Sequence, residues 1–92
     1  MLYIITDYTL KRAKQMKVTV QLSETKNKKI DVFKNGVKIA SIGDLRYKDF
    51  PNYVMENGIE FAKKRKRLYY IRHKKDIEKL NSNGFYAAKL LW

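Results

Sequence analysis

The stretch KVTVQLSETKNKKIDVFKNGVKIASI, residues 17–42, decides the fold that this sequence predicts. Its first part, residues 17–23, alternates apolar and polar side chains with the period of a half-buried strand. Two further β-rich runs follow, and Asn35-Gly36 separates them. Asn-Gly between such runs is a strong hairpin signal, because a type I′ turn needs positive φ at both central residues. The stretch therefore predicts a three-stranded antiparallel meander. Its expected core residues are Val18, Val20, Leu22, Ile30, Val32, Val37 and Ile39.

The second prominent segment is FAKKRKRLYYIRHKK, residues 61–75, which contains many cations and no acid. Good helix formers fill it and Gly58 precedes it, so we predict one long basic helix over residues 59–80. Like charges on neighbouring turns repel by about 0.2–0.5 kcal/mol per pair, so helix stability alone does not favour this arrangement. An acidic partner is the simplest interpretation. The candidate contacts to nucleic acid or to such a partner are Lys63, Lys64, Arg65, Arg67, Tyr70, Arg72, Lys74 and Lys75.

The two tyrosines within this segment have different expected roles. Aromatic side chains between cations suit stacking on unpaired bases or on arginine. At about 100° per residue, however, Tyr69 shares its side of the helix with Ala62 and Ile77. We therefore assign Tyr69 to core packing and Tyr70 to the exposed face.

The fold class that follows is α+β: a small three- to four-stranded antiparallel sheet packed by one long basic C-terminal helix. A chain of 92 residues has room for one domain, residues 1–92. Residues 2–6 are rich in β-formers and predict an edge strand or an added strand. Residues 7–16 suit either a short helix capped by Thr6 or Asp7, or a basic connector. Residues 45–56 surround Pro51 and predict a wrapping connection.

The apolar tail FYAAKLLW, residues 85–92, follows the predicted basic helix. Such a segment lowers solubility if it is left free. We expect it either to fold back onto the sheet or to dock on a partner. The candidate docking residues are Leu90, Leu91 and Trp92.

Composition restricts the setting and the class of partner. The formal net charge of +12 favours polyanions or acidic protein surfaces. The absence of cysteine excludes disulfides and thiolate metal sites, which fits the interior of a virion or of a host cell and not a secreted protein. The apolar run at residues 1–6 is too short for a signal sequence or a membrane span.

The sequence gives little support for a catalytic site or a metal site. His73 is the only histidine and no acidic cluster at metal-ligand spacing surrounds it, so we predict no metal site. A packed, hydrogen-bonded role is expected for His73, with a pH-sensitive contact second. Acid-base hydrolysis needs two carboxylates that point at the same place. The spacing predicts no such arrangement for Asp44 with Asp49 or for Asp76 with Glu78. We therefore expect no enzyme, no cofactor, no small-molecule substrate and no membrane partner.

The C-terminal half resembles small basic uncharacterised proteins of large double-stranded DNA viruses and tailed phages. Their signature is basic-basic-x-Tyr-x-x-Arg-His-x-Lys, then a short spacer with glycine and a terminal Leu-Trp; Arg72 and His73 are the sharpest matches. The likeness covers residues 17–92 and implies a viral protein of the particle, with no catalytic role to carry over. It rests on KRLYYIRHKKD (residues 66–76), Gly84, Ala87, Ala88, residues 90–92 and, upstream, Tyr47, Asp49 and Phe50.

Two functions are compatible with these features. The first is a minor structural protein of a virion, or minor capsid protein, whose basic helix contacts acidic capsid surfaces or packaged nucleic acid and whose tail docks on a neighbouring subunit. The second is a stand-alone nucleic-acid-binding module that holds phosphates through the same helix. In that module the outward sheet residues Thr19, Gln21 and Lys38 would read bases. Asp31 falls on that sheet face and counts against it.

Overall fold

The hairpin at Asn35-Gly36 organises the sheet, as the sequence predicts. In the computed structural model, which describes residues 3–92, Asn35 has φ of 53° and Gly36 has φ of 79°. Lys34 pairs with Val37 across the turn. Within residues 3–92 the fold is α+β, with five helices and one three-stranded antiparallel sheet in the order β1-β2-β3. The elements are α1 (Asp7–Met16), β1 (Thr19–Leu22), β2 (Lys28–Lys34), β3 (Val37–Asp44), α2 (Phe50–Asn57), α3 (Ile59–Arg72), α4 (Lys74–Glu78) and α5 (Asn83–Leu91).

The sheet residues that enter the core differ in part from the predicted set. Val18, Ile30 and Val32 are buried as expected. On β3, however, the core residues are Ala40 and Ile42. The further members of the predicted set are half-buried or exposed, namely Val20, Leu22, Val37 and Ile39.

A register shift in the hairpin explains the error on β3. Val32 pairs with Ala40, whereas Phe33 pairs with Lys38, so one residue of β3 is skipped between the two pairs. An extra residue of this kind reverses which side chains face the core. Ala40 therefore takes the place opposite Val32 that a regular hairpin would give to Ile39. Val37 lies beside the turn, at the end of the hairpin, and is 63% exposed.

The segment before the sheet is a helix, which was one of the two alternatives. The Thr6 hydroxyl accepts from the backbone N–H of Thr9 and caps α1. Lys17 ends the helix in the left-handed conformation, with φ of 60°. The predicted strand at residues 2–6 is wrong for residues 3–6, and residue 2 lies outside the described part. Tyr3 instead donates a hydrogen bond to Asp49, so this segment crosses toward α2.

The predicted wrapping connection at residues 45–56 is wrong, because it contains α2. The backbone N–H of Asp49 donates to Asn52 Oδ1 at 3.1 Å, which fixes the start of the helix. Pro51 lies in the first turn, where a missing N–H costs no helical hydrogen bond. The proline therefore starts this helix.

The predicted long basic helix is shorter than residues 59–80. The helix α3 ends at Arg72, His73 forms a turn, and α4 adds a separate short helix. Chain reversal then brings α5 against α4, where a Cβ on Gly84 would lie 2.5 Å from the Cβ of Asp76. In the described part of the chain the C-terminal helix is therefore α5 and not the long basic one.

The apolar tail packs inside its own chain. The Ser82 hydroxyl accepts from the backbone N–H of Phe85 and starts α5. Leu90 and Leu91 are fully buried, and Trp92 is 9% exposed. Thr9 Oγ1 donates to the carbonyl of Leu90 at 2.8 Å, which ties the tail to α1. The predicted docking role of these three residues is therefore corrected: they are core, and a neighbouring subunit would meet almost none of their surface.

Candidate anion-binding site

The cations of residues 61–72 lie on three sides of α3. Lys63, Lys64 and Arg67 are exposed and span an arc of about 100° that points away from the core; we call them the outer face of α3. Lys66 lies on a second side and is half-buried. On a third side Arg65 and Arg72 line a cleft.

Most carboxylates that form ion pairs in the described residues pair with cations outside the basic segment of residues 61–75. Within residues 3–92, the ion pairs between lysine or arginine and carboxylates are Lys29–Asp49, Lys38–Asp31, Arg46–Asp44, Lys48–Glu56 and Lys74–Glu78. Lys74 therefore has a partner, at 3.9 Å. The other exposed candidates have none within 4.0 Å in this part of the chain: Lys63, Lys64, Arg65, Arg67, Arg72 and Lys75. The positive charge of α3 is thus left uncompensated by the fold.

A cleft of about 450 Å³ lies beside α3. One wall comes from α3, with Leu68 between Arg65 and Arg72. Tyr47, from the loop between β3 and α2, and Trp92, which follows α5, are also part of its lining. The cleft thus joins apolar and cationic side chains from separate parts of the sequence.

An aromatic stack contributes to the lining. The rings of Tyr69 and Trp92 lie 4.5 Å apart between centroids and 11° from parallel. His73 packs on Tyr69 at 4.5 Å, and its Nδ1 lies 3.9 Å from Asp76. Burial is the main cause that raises the pKa of Tyr69 to about 12, with a smaller contribution from Tyr70. The phenol therefore stays neutral at physiological pH, and the predicted packing role of Tyr69 is confirmed.

A buried polar network holds the cleft together. Lys29 and Asp49 form an ion pair although both side chains are almost fully buried. The Tyr3 hydroxyl donates to Asp49, and Lys29 Nζ donates to the carbonyl of Tyr47. Burial, followed by the charge of Asp49, raises the pKa of Tyr3. The sequence did not predict this network, since no local pattern joins residues that lie 20 positions apart.

Gly43 makes room for this network. It has φ of 81°, and a Cβ added there would lie 2.8 Å from Cδ of Lys29 and 2.9 Å from Cδ1 of Leu91. Glycine is the residue that tolerates both the positive φ and the close approach. The lysine stem thereby passes the sheet to reach Asp49.

Tyr70 is not the exposed aromatic that we predicted. It is half-buried, and its hydroxyl donates to the carbonyl of Ala88 at 3.1 Å. Burial is the main cause that raises its pKa, and Arg12 partly offsets the effect. Tyr70 therefore joins α3 to α5. An exposed aromatic that lines the cleft with the cations is Tyr47, to which the resemblance assigned no role.

A group of three cations lies on the other side of α3. Lys66 Nζ lies 5.1 Å from the ring centre of Phe50. Desolvation is the main cause that lowers the pKa of Lys66, and the charges of Arg12 and Lys89 lower it further. Arg12 in turn donates to the carbonyl of Lys89. Three helices thus bring like charges together, which weakens the fold locally.

The sheet face proposed to read bases carries a buried acid. Asp31 accepts from the hydroxyls of Ser23 and Ser41 at 2.6 Å each. Burial by itself would raise the pKa of Asp31, but these hydroxyls, the Glu24 N–H and Lys38 together lower it. Thr19, Gln21 and Lys38 are exposed on the strands around it. A fixed negative charge on this face disfavours contact with a phosphate backbone.

Comparisons with protein-family models, with curated proteins and with solved structures find no match in any of the three. In residues 3–92, no helix combines the length and the apolar character that a membrane span requires. The same residues contain no group of three or more histidines, cysteines or acids that could hold a metal ion. The geometry of α3 and its cleft therefore carries the functional inference.

Proposed function

We propose that this protein binds nucleic acid through the outer face of α3. The observation that carries the proposal is the exposure of Lys63, Lys64 and Arg67 without a carboxylate within 4.0 Å in residues 3–92. Lysine and arginine that neutralise phosphates release counterions, and this release supplies most of the affinity for nucleic acid at low salt. Contacts of this type hold the phosphate backbone of the nucleic acid and do not distinguish one base from another.

The cost of the arrangement supports the same proposal. Repulsion between Lys63 and Arg67, which lie four residues apart on α3, destabilises the free helix. The formal net charge of +12 adds self-repulsion to the compact state. A polyanion removes both costs when it binds.

An acidic protein surface is the second candidate, and the resemblance of residues 66–76 to viral proteins favours it. The same cations would then contact acidic faces of a capsid lattice. Burial of Leu90, Leu91 and Trp92 removes the apolar anchor that this candidate relied on. We therefore place nucleic acid first, and the virion setting stays a prediction.

The test is a titration with random-sequence double-stranded DNA from about 50 to 200 mM salt. The variant changes Lys63, Lys64 and Arg67 together to glutamine. If each cation contacts one phosphate, the slope of log K against log salt falls in magnitude by about 2.7, at about 0.9 per phosphate.

The matched control changes Lys14, Lys26 and Lys34 to glutamine. These lysines are exposed and lie on α1, the β1–β2 connection and β2, so the net charge drops equally. The slope of the control should stay near that of the unmodified protein. Equal losses in both variants, or weak binding of the unmodified protein at every salt concentration, would contradict the proposed function.

A further inference from the structure

Tyr47 is an exposed aromatic residue on an anchored loop. Its side chain is 65% exposed, yet its carbonyl accepts from the buried Lys29 ammonium. Its backbone N–H donates to the carbonyl of Asp44 at 3.1 Å. The backbone on both sides of the ring is therefore fixed, and little ordering entropy remains to be lost when a ligand stacks on it.

Two arginines share the cleft with Tyr47. Arg65 and Arg72 lie seven residues apart on α3, which places them on the same side of the helix with Leu68 between them. Both are exposed, and within residues 3–92 neither has a carboxylate within 4.0 Å. Leu68 lies between the two arginines on α3, and Tyr47 adds an aromatic surface to the same cleft lining.

The volume and chemistry of the cleft restrict its ligand. About 450 Å³ lies within the usual range of ligand pockets, about 300–1,000 Å³. A flat group with negative charge beside it matches an aromatic platform flanked by arginines, which is how proteins bind single-stranded nucleic acid. A base that is paired within a duplex does not present its face to such a platform.

We infer that the cleft takes an unpaired base of single-stranded DNA or RNA, stacked on Tyr47, with neighbouring phosphates held by Arg65 and Arg72. This inference rests on the proposed function and adds to it, because the outer face of α3 binds phosphates of either form whereas the cleft selects single strands. Single strands should therefore bind more tightly than a duplex of the same length.

The test compares single-stranded thymidine and uridine oligonucleotides with a duplex, all about 12 nucleotides long, which is within the usual site size of about 4–16. Tyr47→Ala is expected to weaken single-strand binding by about 5-fold to 150-fold, the range of base–aromatic stacking. Duplex binding should not change. Tyr47→Phe, which keeps the ring, should retain single-strand affinity.

Met55→Ala is the control, because Met55 is 84% exposed and lies on α2, outside both the cleft and the outer face of α3. A second readout is the emission of Trp92, the only tryptophan, which lines the cleft. Single strands should alter this emission, whereas a duplex on the outer face of α3 should not.

Two outcomes would overturn the inference in different ways. Duplex binding with the expected salt slope, together with single-strand affinity that Tyr47→Ala leaves unchanged, would remove the cleft site and leave the proposed function standing. Absence of binding to both forms at low salt would remove the two together.

Discussion

The indole of Trp92 lies parallel to the phenol of Tyr69, with 4.5 Å between the ring centroids and 11° between the planes. The contact joins the residue after α5 to the third turn of α3. A stacked pair of this kind contributes about 0.5–1.5 kcal/mol beyond the burial of its area. The stack therefore links the cleft lining to the stability of the whole fold.

Trp92→Ala is expected to lower the free energy of unfolding by about 3–5 kcal/mol, the usual cost of removing a buried tryptophan. Urea denaturation at neutral pH measures the change. Ile71→Ala, on the exposed side of α3, should stay within about 0.5 kcal/mol of the unmodified protein. A double-mutant cycle with Tyr69→Leu should return a coupling of about 0.5–1.5 kcal/mol. Additive losses would show that the rings do not act as a pair.

Asp49→Ala should be as damaging, because it leaves the Lys29 ammonium buried without its partner. Removing one member of a buried pair costs about 3–5 kcal/mol. The double change Lys29→Met with Asp49→Leu should recover much of the loss, since no unpaired charge remains. Glu56→Ala breaks only the exposed pair with Lys48 and should change stability little. A double variant no more stable than Asp49→Ala would contradict this account.

Much of the sheet could be predicted from sequence because its signals are local. Alternation and Asn35-Gly36 specify strands and a turn without knowledge of the partner elements. The failures come from two sources. Pro51 acts as a helix start only because Asp49 and Asn52 cap the helix, a signal that was present and overlooked. The core residues of β3 depend on a register shift opposite Val32, which no pattern within one strand reveals.

The positive charge of the candidate site could be predicted from the sequence, but the cleft beside α3 could not. Exposed cations follow directly from a basic segment, and most of the candidate residues on α3 are exposed. The cleft is different, since Tyr47 and Trp92 reach it only through the packing of α5 and the buried pair below the loop. Tyr47 entered the sequence analysis only through the resemblance to viral proteins, which assigned it no role.

Acid should reveal the role of Asp31. Its folded pKa is lowered, so its contribution to stability is complete above its ordinary pKa of 3.8 and is lost as the pH falls below that value. Asp31→Asn should cost about 1–3 kcal/mol at neutral pH, because hydrogen bonds to a charged acceptor are weakened. Urea denaturation at neutral pH and at about pH 3 should show the two proteins converging under acid. A difference that does not depend on pH would exclude ionisation of Asp31 as its cause.

Lys66→Met should stabilise the protein by up to about 1 kcal/mol at neutral pH, since solvent screens a half-buried charge. The folded pKa of Lys66 is lowered, so its charge costs stability at every pH below that value. As the pH rises through the folded pKa toward the ordinary value of 10.5, the cost disappears and the benefit of the variant should shrink. Thermal unfolding at neutral and alkaline pH tests this. Lys63→Met, on the outer face, is the control, and an equal gain there would point to net charge alone.

The packing of α5 also affects how the chain folds while it is being synthesised. Ile30, Val32 and Ile42 form one apolar surface of the sheet, and Leu90 and Leu91 belong to the same buried cluster. Thr9 and Leu90, which share a hydrogen bond, are separated by 81 positions. The core thus stays incomplete until residues 90–92 have left the ribosome, and a chain halted earlier exposes an apolar sheet surface that favours aggregation.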